Sequence, residues 1–348
     1  MTDKMKNILK IVVFGAGVLV LLLVFSLMMK PQKWFDNKLV QNRDSRYIQI
    51  SEQKEDTIDV FNIGDSLSLA VFSPMELWRQ QGFTGFNIGA DGLRLAESYY
   101  YLKNACKNQK PKVLLIESLM LFRYRISEDS VMLLSQPIYY YVPFLKYHNI
   151  WKALVELPGV MIYHRGYTVN ENSATYRGPL DYMDHPLVED GRLTIPSFNR
   201  TWFDRIKKYC DEQGIEIVIY SAASASNYNW DRVHALEEFA AEKGVKYIDL
   251  NEHVEEMGIN WDDDSNDGGD HMNYFGCVKS TDFLGNYLRE NTNLPDHRGD
   301  ENYSDWDSEL VYYDQLVKDM KNLSFQDIHY MRESMIKQQK RLDKEKKQ

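Results

Sequence analysis

The chain of 348 residues is 44% apolar, 13% aromatic and 26% charged, a globular composition that excludes disorder; its 10 prolines and 19 glycines exclude collagen-like or low-complexity architecture. A net charge of −10 argues against a sequence-independent grip on phosphates, so no nucleic-acid partner is expected. Three scattered cysteines, Cys106, Cys210 and Cys277, make neither a disulfide framework nor a zinc site, and no repeat of about 20–50 residues recurs.

A short N-terminal tail (1–10) leads into an uncharged apolar run, 11–29, with Lys4, Lys6 and Lys10 before it and Lys30 and Lys33 after it. At about 1.5 Å per residue this run spans roughly 28 Å, one bilayer core, and predicts a transmembrane helix. A cleaved secretory signal is the rival reading; the length of the run and the lack of a small-x-small site after it count against that. Lysines flank both sides, so the positive-inside rule does not set the orientation. Every segment with a core follows the run. The expectation, which leans on the chemistry of the domain that follows, is a single-pass anchor with that domain outside the cytoplasm.

A polar linker (30–56) precedes a domain over 57–291 in which β-rich runs alternate with amphipathic stretches. Strands are predicted at Thr57–Ile63, Gly85–Ile88, Lys112–Glu117, Ile215–Tyr220 and Val245–Leu250. Helices are predicted from about Leu93 to Lys107, over Ser197–Gln213, from about Trp230 to Lys243 and over Gly276–Glu290, with Gly214 and Gly244 as stops. Five strands, each returned by a helix, predict one doubly wound α/β domain. Residues 124–196 are an insertion rich in tyrosine (Tyr139, Tyr140, Tyr141, Tyr147, Tyr163, Tyr167, Tyr176). It reads as a small helical cap, or as a lid whose aromatic faces line a saccharide groove. Residues 292–348 are acidic, then helical, then a basic tail expected to be solvated.

Gly64-Asp65-Ser66 directly after the first strand puts a serine at the carboxyl edge of the sheet, where open α/β folds place ligands. The same residues also suit an ordinary helix N-cap. Far away in sequence, Asp267-Gly268-Gly269-Asp270-His271-Met272-Asn273 stands before the last helix. A loop histidine beside a carboxylate supplies a general base with a fixed tautomer. The acidic run from Asp262 to Asp270 does not match a calcium loop, since no glycine is in register and no glutamate closes it. It is read as a solvated loop, with no metal expected. The strand-four exit, Ser221 to Ser226, faces the same edge as Ser66 and reads either as a flexible loop or as substrate contact.

Gly64-Asp65-Ser66 together with His271-x-Asn273-x-x-Gly276 resembles the SGNH/GDSL hydrolase superfamily, over 57–291 without the insertion. The anchored layout resembles the branch working beside membrane-bound O-acyltransferases, typified by DltD of teichoic-acid D-alanylation and by alginate and peptidoglycan acetylation proteins. The resemblance implies a flavodoxin-like three-layer α/β/α domain, Ser66 as nucleophile, His271 as its base, and the amides of Ser66 and Gly92 as oxyanion hole. It implies no cofactor. It implies, as partners, the membrane, a multi-pass O-acyltransferase and a cell-surface glycan or teichoic-acid-like acceptor. A carbohydrate O-acetylesterase and a catalytically weak glycan-binding scaffold are the alternatives.

Two departures stand out. The family's acid lies three residues before the histidine, which here is Gly268; Asp267 and Asp270 are the candidates. Asp267 is preferred, because a turn of helix would bring it alongside His271 whereas adjacent residues point apart. The family's third-block asparagine is missing at Ile116-Glu117-Ser118. Either another donor such as Ser118 substitutes, or the oxyanion hole is incomplete at a cost of about 3 kcal/mol.

Overall fold

Short apolar runs flanked by helical segments can bury both faces only by pairing in parallel between helix layers. The computed structural model describes residues 2–28, 46, 49–147, 164–170, 172–187 and 193–321. Strands β1 (Val60–Ile63), β2 (Gly85–Asn87), β3 (Val113–Glu117), β4 (Glu216–Ser221) and β5 (Lys246–Asp249) form one parallel sheet in the order β2-β1-β3-β4-β5. That is the flavodoxin-like order, whose topological switch lies between β1 and β3. In register, Phe61 of β1 faces Phe86 of β2 and Leu114 of β3, all fully buried.

In chain order the helices begin with α1 (Asp3–Met28), α2 (Ser66–Val71), α3 (Pro74–Gln81), α4 (Leu95–Ala105), α5 (Leu119–Phe122) and α6 (Ile126–Tyr141). They continue with α7 (Pro143–Tyr147), α8 (Ser197–Gln213), α9 (Trp230–Lys243), α10 (Tyr274–Asn291) and α11 (Ser304–Lys321). Helices α2, α3 and α10 pack together on one face of the sheet; α4 and α8 pack on the other, where Phe203 of α8 meets Phe239 of α9 at 4.9 Å. The domain is therefore a three-layer α/β/α sandwich, with one long apolar helix at the N-terminus.

Local chemistry explains where elements start and stop. The first strand begins at Val60 rather than Thr57, because the amides of Thr57 and Ile58 both donate to Gln109 Oε1 instead of to a neighbouring strand. Helix α10 starts at Tyr274, two residues before the expected Gly276, because Asn273 Oδ1 accepts from the amides of Phe275 (2.9 Å) and Gly276 (3.2 Å). Helix α3 has no counterpart in the sequence reading. Its signal is a Ser-Pro-x-Glu start at Ser73, with Ser73 Oγ accepting from Glu76 N. Gly214 and Gly244 end α8 and α9 in the left-handed region, as expected.

Two regions differ from their expected roles. Within the insertion, α6 and α7 are helical, but 164–170 and 172–187 are mostly irregular, with one 3-10 turn at Tyr182–Asp184, and bond to the sheet and its loops. Arg165 O accepts from Asn87 N, Asn170 O from Tyr274 N, and Ala174 N donates to Ser265 O. That half braces the sheet edge rather than forming a separate cap. Tyr163 and the side chain of Tyr147 lie outside the described residues, as do most of the linker and the basic tail. Helix α11 is part of the core: its buried Trp306 packs on Trp78 of α3 at 5.5 Å, and Tyr313 is fully buried.

Candidate active site

Ser66 is the first residue of α2, at the carboxyl end of β1 beside the switch point. Asp65 caps the helix, its Oδ1 accepting from Leu67 N at 3.0 Å. The short helix is tied down from below: the Asn62 and Asn87 side-chain amides both donate to Ser68 O, at 2.9 and 3.2 Å, and Ser68 Oγ donates to Asp65 O. Two asparagines in buried strands thus fix the helix that presents the serine.

His271 reaches Ser66 from the loop before α10. Its Nε2 lies 2.8 Å from Ser66 Oγ, and its Nδ1 lies 2.6 Å from Asp267 Oδ2. Asp267 Oδ1 also accepts from the His271 amide at 2.8 Å, so one carboxylate orients both backbone and ring. Asp270 Oδ2 stands farther from Nδ1, at 3.5 Å, and its Oδ1 accepts from Asn227 Nδ2. The expected turn of helix between Asp267 and His271 is absent. Gly268 and Gly269 have φ of 82° and 105°, outside the range of a right-handed helix, and Ser265 pairs antiparallel with Met272. A hairpin-like loop closes instead, and it brings Asp267 across to His271.

The strand-four exit holds that loop. Ser224 is buried and its Oγ donates to Gly269 O at 3.4 Å, while Ser226 N donates to the same carbonyl at 3.2 Å. The segment is a clamp rather than a flexible loop. The acidic run is likewise not all solvated: Asp264 is buried and binds Lys279 at 2.6 Å and the Asn260 amide at 2.6 Å.

Beneath the serine lies a buried polar layer that sequence reasoning missed. Asp65 is fully buried, and its Oδ2 pairs with Arg123 Nε at 3.0 Å. Burial pushes the Asp65 carboxyl up, opposed chiefly by the Arg123 charge and the Leu67 amide. Glu117, at the end of β3, accepts from the Tyr228 hydroxyl at 2.5 Å and from Leu119 N at 3.0 Å. Burial, reinforced by the Asp65 charge, raises its carboxyl to about 8. Burial and the neighbouring Asp65 carboxylate together favour the protonated form of Glu117 near neutral pH. The only sequence signal was an acid ending a buried strand.

Ser118 is not an oxyanion donor. Its amide donates to Tyr220 O at 2.9 Å, and its hydroxyl lies 2.8 Å from Tyr228 Oη and 2.9 Å from Ser221 Oγ. Both groups are committed to the buried layer. Gly92 sits after β2 with φ of 60°, and a Cβ there would meet no atom within 4 Å, so the loop it occupies opens outward. Gly89 is packed instead: a Cβ would lie 2.5 Å from Ser68 Oγ and 2.8 Å from Gly64 O. One atom each of Asp267, Asp270 and His271 lies within 4.8 Å of the others, near enough for a cation, but Asp267 and both ring nitrogens of His271 already have hydrogen-bond partners in the relay.

No family model matches the chain, and no curated protein is significantly similar to it. Among solved structures, it is similar to a protein from Parabacteroides merdae assigned as a GDSL-like lipase, at 12% identity and a TM-score of 0.34, covering 68% of this chain and 98% of that one.

Proposed function

We propose that this chain is a serine-dependent acyl-transfer enzyme of the SGNH type. The observation that carries the reading is the unbroken relay Ser66 Oγ, His271 Nε2, His271 Nδ1, Asp267 Oδ2 at 2.8 and 2.6 Å. In this mechanism His271 takes the Ser66 proton as Oγ attacks an acyl carbonyl, and Asp267 holds the imidazolium that forms. The amides of Ser66 and Gly92 receive the oxyanion. Collapse expels the alcohol, which takes the proton from His271 and leaves an acyl-serine. Attack by water or by a sugar hydroxyl on that ester then frees the serine.

The finer reading is an enzyme anchored through α1 and facing out of a bacterial cytoplasmic membrane. It would work with a multi-pass O-acyltransferase to acetylate or D-alanylate a surface polysaccharide or teichoic-acid-like polymer. The exposed apolar residues of α1 support the anchor. A carbohydrate O-acetylesterase shares the same chemistry and differs only in using water as acceptor. The deciding experiment combines fluorophosphonate labelling and aryl acetate turnover, with wild type beside Ser66→Ala. Labelling that disappears in the variant is the expected result, and fast partner-free turnover selects the esterase. A folded wild type that takes up no label overturns the nucleophile, and the non-catalytic scaffold then stands.

A further inference from the structure

Helix α6 is amphipathic in the wrong sense for a soluble protein. The side chains it buries include Asp129 and Gln136, whereas Val131, Leu134, Ile138 and Tyr141 are 64, 70, 46 and 66% exposed among the described residues. Those four recur at three- and four-residue spacing, so they form one stripe about three turns long on the outward face. An exposed apolar stripe of this kind on a rigid helix marks an interaction surface.

Its position says what covers it. Helix α6 runs into α7, and α7 packs on the carboxyl-terminal end of the apolar helix α1. The Phe144 ring lies 5.7 Å from Phe25, and Ser26 Oγ accepts from Phe144 N at 3.4 Å. The stripe is thus continuous with the place where α1 leaves its apolar stretch. Tyr140, on the same helix, has Lys107 Nζ at 4.5 Å and Lys103 Nζ at 5.3 Å over its ring. Apolar side chains bordered by tyrosine and lysine are the composition of a helix lying in a lipid headgroup region.

The amino end of α6 is tied to the candidate site. Arg94, two residues after Gly92, pairs with both Glu128 and Asp129. We infer that α6 lies along the surface of the membrane in which α1 stands, its Val131–Tyr141 stripe immersed at the headgroup–acyl boundary. The partner is the lipid itself. The helix then works as a strut that holds the mouth beside Ser66 at a fixed height above the bilayer. This inference rests on the reading of α1 as a membrane anchor.

The test uses the full chain in phosphatidylcholine and phosphatidylglycerol vesicles, with nitroxide labels on Leu19→Cys, Leu134→Cys or Lys208→Cys in a Cys106→Ser background. Cys210 and Cys277 are buried and take no label. Circular dichroism and aryl acetate turnover check that each variant is folded. Collision of the label with oxygen and with a water-soluble nickel chelate reads its depth. The expected result is Leu19 deep in the bilayer, Lys208 in water and Leu134 about 5–10 Å below the headgroup level. A water-like Leu134 beside a membrane-like Leu19 overturns the strut and leaves the anchor standing. A label at Leu134 shielded from both collision partners means that protein covers the stripe, which also overturns it. A water-like Leu19 removes the anchor and the strut with it.

Discussion

At the scale of single residues, the two candidate acids separate by geometry. Asp267 contacts both the ring and the amide of His271, whereas Asp270 is shared with Asn227 and stands 3.5 Å from Nδ1. Asp267→Asn is expected to lower kcat by about 10³–10⁴-fold through the wrong imidazole tautomer. Asp270→Asn should cost less than about tenfold, the scale of an exposed ion pair. Steady-state kinetics on an aryl acetate read both. Arg123→Gln leaves Asp65 buried without its cation and should destabilise the fold by about 1–3 kcal/mol in urea unfolding. None of Arg123, Asn62 and Asn87 was legible as a supporting residue, because partners brought together through tertiary contacts share no spacing rule.

Glu117 gives a pH dependence of definite sign. Its carboxyl has an ordinary value of 4.5 and stands at about 8 in the folded chain. Between those values the folded state holds a proton that the unfolded state releases. Stability contributed by this group is therefore full below about pH 4.5 and is lost as pH rises through about 8, with a slope of about 1.4 kcal/mol per pH unit between them. Asp249, raised to about 6 mainly by burial, acts in the same direction over a narrower window. Glu117→Gln should flatten the fall in stability between about pH 6 and 8. Denaturant midpoints across that range check it, and an unchanged slope sinks the assignment.

At the scale of elements, close approach dominates. A Cβ on Gly64 would lie 2.5 Å from Glu117 Cβ and 2.7 Å from Ser68 Cβ, because β1 turns into α2 directly over the end of β3. Gly64→Ala should lose about 1–3 kcal/mol by overpacking. It should also slow fluorophosphonate labelling, since Ser66 is two residues away. Helices α8 and α9 were legible to the residue, because apolar spacing and a terminal glycine are local signals. The Asp267–His271 loop was not. A spacing of four from acid to base suggests a helical turn, and only the positive φ of Gly268 and Gly269 converts that spacing into a hairpin-like loop.

At the scale of the molecule, the chain after the last domain helix completes the fold. Trp306 and Tyr313 are fully buried, Trp78 Nε1 donates to Asp307 at 3.0 Å, and Asp305 and Glu309 both pair with Arg165. Ending the chain before residue 300 exposes Trp78 and removes three buried side chains, Val317 included. At about 1.5–3 kcal/mol each this should cost roughly 5 kcal/mol or more. Urea unfolding of the shortened chain should show a large drop in midpoint.

The five strands, helices α4, α8, α9 and α10 and the apolar N-terminal helix were legible in the sequence alone. Each depends on a periodicity, a cap or a short motif that acts within a few residues along the chain. Tertiary structure decided which carboxylate meets His271, that Ser118 turns away into the buried layer, and that Glu117 and Asp65 lie stacked beneath the serine. It also decided that α6 faces its apolar stripe outward. These depend on which segments meet across the sheet and on how burial shifts charge, and neither is encoded in local spacing.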